Sequence, residues 1–232
     1  MYLLTETASP FALERWAAFF ANFGQFAKGF FYTLGISIGA LIVALLLGLI
    51  FGAMSSTHNK ALRGISRVYV EIFQNTPLLV QFVVVFYGIS ILTDGHVMIP
   101  ISLTAILCVG VYTGAYISEI IRTGIEAVPK GQTEAALSQG FTYADTMRII
   151  ILPQAVRTIL PPLTNQVVNL IKNTSTVAII SGADIMFTAK AWAYDTTNYV
   201  PAFAGAAFLY FIMCFPLATW ARRKEEENKK AY

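Results

Sequence analysis

Long uncharged apolar runs separated by short polar stretches set the plan of this chain. Residues 30–54 carry no charged side chain. At 1.5 Å per residue that run reaches about 37 Å, more than a hydrocarbon core of ~30 Å. Comparable runs cover Val68–Leu92, Ile99–Ile121, Gln154–Met186 and Val200–Ala221. The pattern predicts an all-α, polytopic membrane protein with five transmembrane helices, forming a single membrane domain over residues 1–232. Upstream, Phe11, Trp16, Phe19, Phe20 and Phe23 recur near helical spacing, with Glu14 and Arg15 on another face. This reads as a helix at the membrane surface within an amino-terminal interfacial segment, 1–28. A lead-in that extends the first span is the alternative. The segment lacks the basic start and small-residue cleavage site of a signal peptide.

Local exceptions within the runs are informative. Gly35 and Gly39, Gly48 and Gly52, and Gly110 and Gly114 stand four apart, a spacing that lets another helix approach closely. Pro77 removes a helical hydrogen bond and is expected to kink or start a helix in the second run. Pro161 and Pro162 are expected to kink the start of the fourth. That fourth run is also dense in polar groups, from Asn165, Gln166 and Asn169 to Lys172, Asn173, Thr174, Ser175 and Thr176.

Between the third and fourth runs lies a polar insert, 123–153. Helical pieces are expected at 131–139 and 142–151. They are broken at Gly140, which can take the left-handed conformation that ends a helix. Thr142 and Asp145 are placed to cap the second piece. Pro153 is expected to start the return into the apolar run.

Composition and charge sharpen this. The chain is 56% hydrophobic and 12% charged, about half the charge usual for soluble domains. With the amino terminus outside, twelve of the sixteen basic residues fall on the inner side and four on the outer. The inner set is Lys60, Arg63, Arg67, Arg122, Lys130, Arg148, Arg157 and the five in the tail 222–232. The outer set is Arg15, Lys28, Lys172 and Lys190. That asymmetry puts the amino terminus outside, the carboxyl terminus inside and the polar insert in the cytosol. Basic residues scattered over loops do not make a nucleic-acid-binding face.

Candidate chemistry is sparse. There is no GxxxxGK[ST] phosphate loop, so the chain is not expected to bind ATP by that route. Cys108 and Cys214 lie within apolar runs, and His58 and His96 have no ligand partners at metal spacing. No histidine is placed to activate a serine or threonine. Glu71, Glu119, Asp184 and Asp195 are far apart in sequence and do not pair as acid and base. The chain is not expected to be an enzyme.

The stretch EAALSQGFTYADTMRIIILP, Glu134–Pro153, resembles the EAA signature of bacterial ABC-importer permeases. Gly114–Gln132 is similar to the segment that leads into it in polar-amino-acid permeases. Thr76–Gln81, Leu160–Leu163 and Lys172–Ser175 are similar to that family's other hallmarks, so the likeness covers about residues 30–220. The chain departs from it at Gln74, where a basic residue is common, and at Gln139, where leucine is common.

The resemblance implies the permease subunit of a type I polar-amino-acid ABC importer in the bacterial inner membrane. It implies a dimer of ATPase subunits below, which would bind ATP and Mg, and a second permease subunit, identical or related. It also implies an extracellular or periplasmic substrate-binding protein. Gly131, Glu134, Ala135, Ala136, Gly140, Asp145 and Arg148 are then the expected ATPase-coupling residues.

For the substrate, polar groups at membrane depth are the first place to look. Gln166, Asn169 and Asn173 share one helical face and are expected to line the path, unless they serve as hydrogen-bonding glue between helices. Ser175, Thr176, Thr76 and Gln81 complete the candidate set. Members of the family that take cationic amino acids often carry acidic residues at positions matching Gln166 and Asn173. Neutral amides there, with Lys172 nearby, favour a neutral polar or acidic amino acid such as glutamine, glutamate or aspartate. A secondary transporter or channel is the rival reading. It would need paired intramembrane charges or inverted repeats, and neither is evident.

Overall fold

The computed structural model describes residues 9–230, save the side chains of 224, 225 and 227–230. The first eight residues of the expected interfacial segment and the last two of the tail lie outside the described residues. The elements are helices throughout. They are α1 (Leu13–Ala21), α2 (Phe23–Ser55), α3 (Lys60–Gln74), α4 (Leu78–Leu92), α5 (Ile101–Glu126), α6 (Lys130–Ser138), α7 (Tyr143–Asp145), α8 (Leu152–Asn173), α9 (Ile185–Thr196) and α10 (Tyr199–Lys230).

Among the described residues, α2, α5 and the stretch Tyr199–Arg223 of α10 are long and apolar enough to cross a membrane by themselves. The pair α3 and α4 would make a fourth crossing, but it is bent by 97°. Helix α8 reaches about 33 Å yet is too polar to qualify by composition, because it carries Arg157, several amides and, in its last turn, Lys172.

The centre is the packing of α2 on α5. A Cβ on Gly110 would lie 2.7 Å from Val43 Cβ and 3.0 Å from the Ala40 carbonyl; one on Gly52 would lie 2.8 Å from Ile121 Cβ. Glycine is what allows the two backbones this close. Gly35, in contrast, faces open space, so only part of the expected small-residue pattern is used. Ile36, Ala40, Ala44, Val109 and Ile117 fill the seam, and Ile159 of α8 closes it below.

A second cluster sits at the other end of the bundle. Phe19 of α1 meets Phe26 and Trp192 edge-on at 4.8 and 6.0 Å between centroids. Helix α1 is thus held against α9 and α10 by a buried ring, while Phe11, Leu13 and Phe20 stay exposed.

Several expected boundaries move. The amino-terminal helix breaks at Asn22, and the first span starts at Phe23, earlier than residue 30. The expected loop 55–67 shrinks because Asn59 caps a helix from Lys60, its side chain accepting from the Ala61 and Leu62 amides. Pro77 does more than kink the second run. The chain turns sharply over Asn75–Pro77, and Gln81 Nε2 donates back to the Phe73 and Thr76 carbonyls left open there.

Pro161 and Pro162 lie inside α8 and do not end it. The fourth run does not continue to Met186. It stops at Asn173, tightens into a 3-10 turn over Thr174–Ile180, and reverses at Ser181, whose φ is 60°. Fully buried Asp184 then caps α9, accepting from the Met186 and Phe187 amides and from the Tyr210 hydroxyl at 3.0 Å. Lys190, counted above among the outer basic residues, lies within α9.

Candidate functional sites: a helical turn and an amide-lined cavity

Helix α6 ends in a Schellman motif. The Phe141 amide donates to the Ala136 carbonyl at 3.1 Å and the Gly140 amide to the Leu137 carbonyl at 3.0 Å. Gly140 has φ +87°, as this closure requires. Thr142 then caps the next helix. Its Oγ1 accepts from the Asp145 amide, and the Asp145 carboxylate accepts from the Thr142 hydroxyl. Pro153 does not begin the return. It sits at the start of α8 in helical backbone that runs unbroken from α7 through a π-helical turn over Thr146–Ile151. The two helices are therefore joined by a short connection whose ends are both hydrogen-bonded.

The outer surface of this turn is mixed. Gly131, Glu134, Ala135, Asp145 and Arg148 are exposed, whereas Ala136 is buried beneath them. Leu137, Phe141 and Tyr143 are exposed apolar neighbours. Asp145 is committed to its cap, whereas Lys130, Glu134 and Arg148 are exposed charged groups on the two helices. His58, before α3, meets the Tyr143 ring edge to face at 4.9 Å. Nothing in the spacing signals this contact, because 85 positions separate the pair.

Deeper in the bundle, Gln166, Asn169 and Asn173 of α8 open together on a cavity of about 410 Å³. Tyr112 and Tyr116 of α5 form the opposite wall, their hydroxyls 3.1 Å apart. Lys172 is the only charged residue among those lining it. The two tyrosines are one helical turn apart on α5, and that spacing could have marked them in the sequence.

The other candidates fall elsewhere. Ser175 lines an adjoining, mostly apolar slot and donates to the Lys172 carbonyl. Thr176 lies in the 3-10 turn. Thr76 and Gln81 bond to each other at the α3–α4 bend, with Gln81 Nε2 to Thr76 Oγ1 at 2.8 Å. None of these four lines the amide cavity. Gln74, one of the two departures noted above, donates to the Ala115 carbonyl and ties α3 to α5. No group of three His, Cys, Asp or Glu among the described residues is placed to hold a metal ion.

The chain thus presents an amide-lined cavity between α5 and α8 and a hydrogen-bonded two-helix turn. Residues 44–225 match the family described as "Binding-protein-dependent transport system inner membrane component". The chain is 37% identical over 216 residues to the probable glutamine ABC transporter permease protein GlnM of Bacillus subtilis, covering 92% of this chain and 97% of that one. It is 33% identical over 208 residues to the glutamate/aspartate import permease protein GltJ of Escherichia coli, covering 82% and 85%. Among solved structures, an amino acid ABC transporter crystallised with histidines superposes with a TM-score of 0.84 at 31% identity, covering 91% of this chain and 98% of that one. The MetNI methionine ABC transporter, at 18% identity and a TM-score of 0.69, shares the fold. The chain belongs to the family of inner membrane components of binding-protein-dependent transport systems, with the type I ABC permease fold.

Proposed function

We propose that this permease carries a neutral polar or acidic amino acid of the glutamine, glutamate and aspartate class through the cavity of Gln166, Asn169 and Asn173. One observation carries the reading: three amides and two tyrosine hydroxyls face one cavity whose only charged lining residue is Lys172. Amides and hydroxyls can donate to and accept from a zwitterion, and the ammonium of Lys172 favours a carboxylate over a second cation. A lysine or arginine side chain would meet no counter-charge there. The names of the relatives, glutamine and glutamate/aspartate permeases, support the same class.

In this reading Gly131, Glu134, Ala135, Ala136, Gly140, Asp145 and Arg148 form the seat of a separate ATPase dimer, which binds ATP and Mg. Exposed Leu137, Phe141 and Tyr143 supply apolar contact, and Glu134 and Arg148 supply charge. A second permease, identical or related, completes the membrane part. A binding protein delivers substrate from outside, where the amino terminus lies, with the carboxyl terminus in the cytosol.

The test is uptake by the reconstituted complex of permease, ATPase and binding protein. ATP-dependent uptake of glutamine, glutamate or aspartate is the expected result. A preference for arginine or lysine, or uptake that persists without ATPase, would overturn the reading.

A further inference from the structure

The largest cavity among those described is not the amide site. It lies between α3 and α5 near the cytosolic end and measures about 760 Å³, within the range of small-molecule sites. Its two walls differ in charge. The α3 wall presents Lys60, Arg63 and Arg67 at helical spacing. Arg67 pairs weakly with Glu71 at 3.7 Å, but Lys60 and Arg63 make no ion pair or hydrogen bond among the described residues. The α5 wall carries Glu119 and Glu126, both bound to one guanidinium, Arg122. That wall is left with one uncompensated negative charge, facing two uncommitted cations.

A third feature is independent of these charges. Ser118 lines the same cavity, is 1% exposed, and its hydroxyl has no hydrogen-bond partner. A buried hydroxyl left unpaired costs about 1–3 kcal/mol, so it is a group that a ligand would satisfy. The cavity shares α5 with the amide cavity. Glu119 follows Tyr116 of the amide cavity by one turn on α5.

We propose that this cavity is a second, cytosol-side site for the transported amino acid, holding its zwitterionic head. The carboxylate lies against Lys60 and Arg63, the ammonium against the Glu119 and Glu126 wall, and Ser118 supplies a hydrogen bond. The inference rests on the amino-acid reading of the amide cavity and adds a step to it: substrate leaving that cavity pauses here before release.

Gly64 lines the cavity and has open space around an added Cβ, so a cysteine there reports occupancy. The experiment uses the full complex in nanodiscs, with Cys108 and Cys214 replaced by serine and G64C introduced, and measures the rate of maleimide alkylation. Glutamine at several times its dissociation constant is expected to slow alkylation about fivefold, and K60Q together with R63Q to abolish that protection. No protection by glutamine, protection that survives K60Q and R63Q, or protection by inorganic phosphate alone would each overturn the proposal. Glutamine uptake by the unmodified complex separates the two readings. If uptake occurs without protection, only the second site falls; if no amino acid is taken up, the proposed function falls with it.

Discussion

His58 meets Tyr143 edge to face, with ring centroids 4.9 Å apart. The pair joins the short connection between α2 and α3 to the turn that follows Gly140. An edge-to-face pair contributes about 0.5–1.5 kcal/mol beyond its buried area. A double-mutant cycle with His58→Ala and Tyr143→Ala, read by thermal unfolding of the complex, should return a coupling in that range. Additive losses would show that the rings touch without consequence.

Gly140 sits at φ +87° in the closure of α6, a conformation that costs about 1–3 kcal/mol for a residue with a side chain. Gly140→Val is expected to reduce ATP-driven uptake severely while the permease still reaches the membrane. Gly140→Asn should retain much more, because asparagine tolerates the left-handed region. Equal loss in both variants would point to crowding at the ATPase, since backbone strain would distinguish them.

Close packing of α2 and α5 depends on Gly110. A methyl group there would press on Val43 and on the Ala40 carbonyl, whereas one at Gly35 meets nothing within 4 Å. Gly110→Ala should lower stability by about 1–3 kcal/mol, and Gly35→Ala should leave it unchanged. Thermal melting of the detergent-solubilised chain compares them, and a Gly35 variant as unstable as the Gly110 variant would contradict this seam.

Asp184 holds together the cap of α9 and the hydroxyl of Tyr210. Asp184→Ala leaves that hydroxyl and two amides without their acceptor, at a cost of about 1–3 kcal/mol per orphaned group. Asp184→Asn keeps one acceptor oxygen and should recover part of the loss. Tyr210→Phe in the Asp184→Ala background should cost less than Tyr210→Phe alone; strict additivity in melting temperature would refute the link.

Within the amide cavity, Asn173→Asp places a carboxylate where Lys172 now stands as the only charged lining residue. Competition assays of uptake should show arginine or lysine gaining about tenfold against glutamine, equivalent to about 1.4 kcal/mol. An unchanged ratio would indicate that selection occurs entirely in the binding protein.

Much of this was legible in the residues. The amide face of α8 follows from helical spacing alone, and the turn at Gly140 with its Thr142 cap follows from local backbone chemistry. These signals act within one or two turns of chain. Spacing marks Tyr112 and Tyr116 as one-turn neighbours, but that they face the amides of α8, and that His58 meets Tyr143, depends on partners on other helices and was not legible. Thr76 and Gln81 lie outside the amide cavity for the matching reason. Their polarity is spent on carbonyls opened by Pro77, a local repair that looks the same in sequence as a polar group facing a path.

By itself, then, the sequence determined that the chain is helical and membrane-embedded, and where its polar two-helix turn falls. Transfer of apolar side chains into lipid and the asymmetry of basic residues are sums over the chain that need no partner. Only the tertiary structure decided the 97° bend between α3 and α4, the early end of α8 and the pairing of its amides with two tyrosines. Those depend on how α4 packs on the 3-10 turn and α5 on α8. Contacts between segments far apart in sequence choose one direction for a break that proline merely permits.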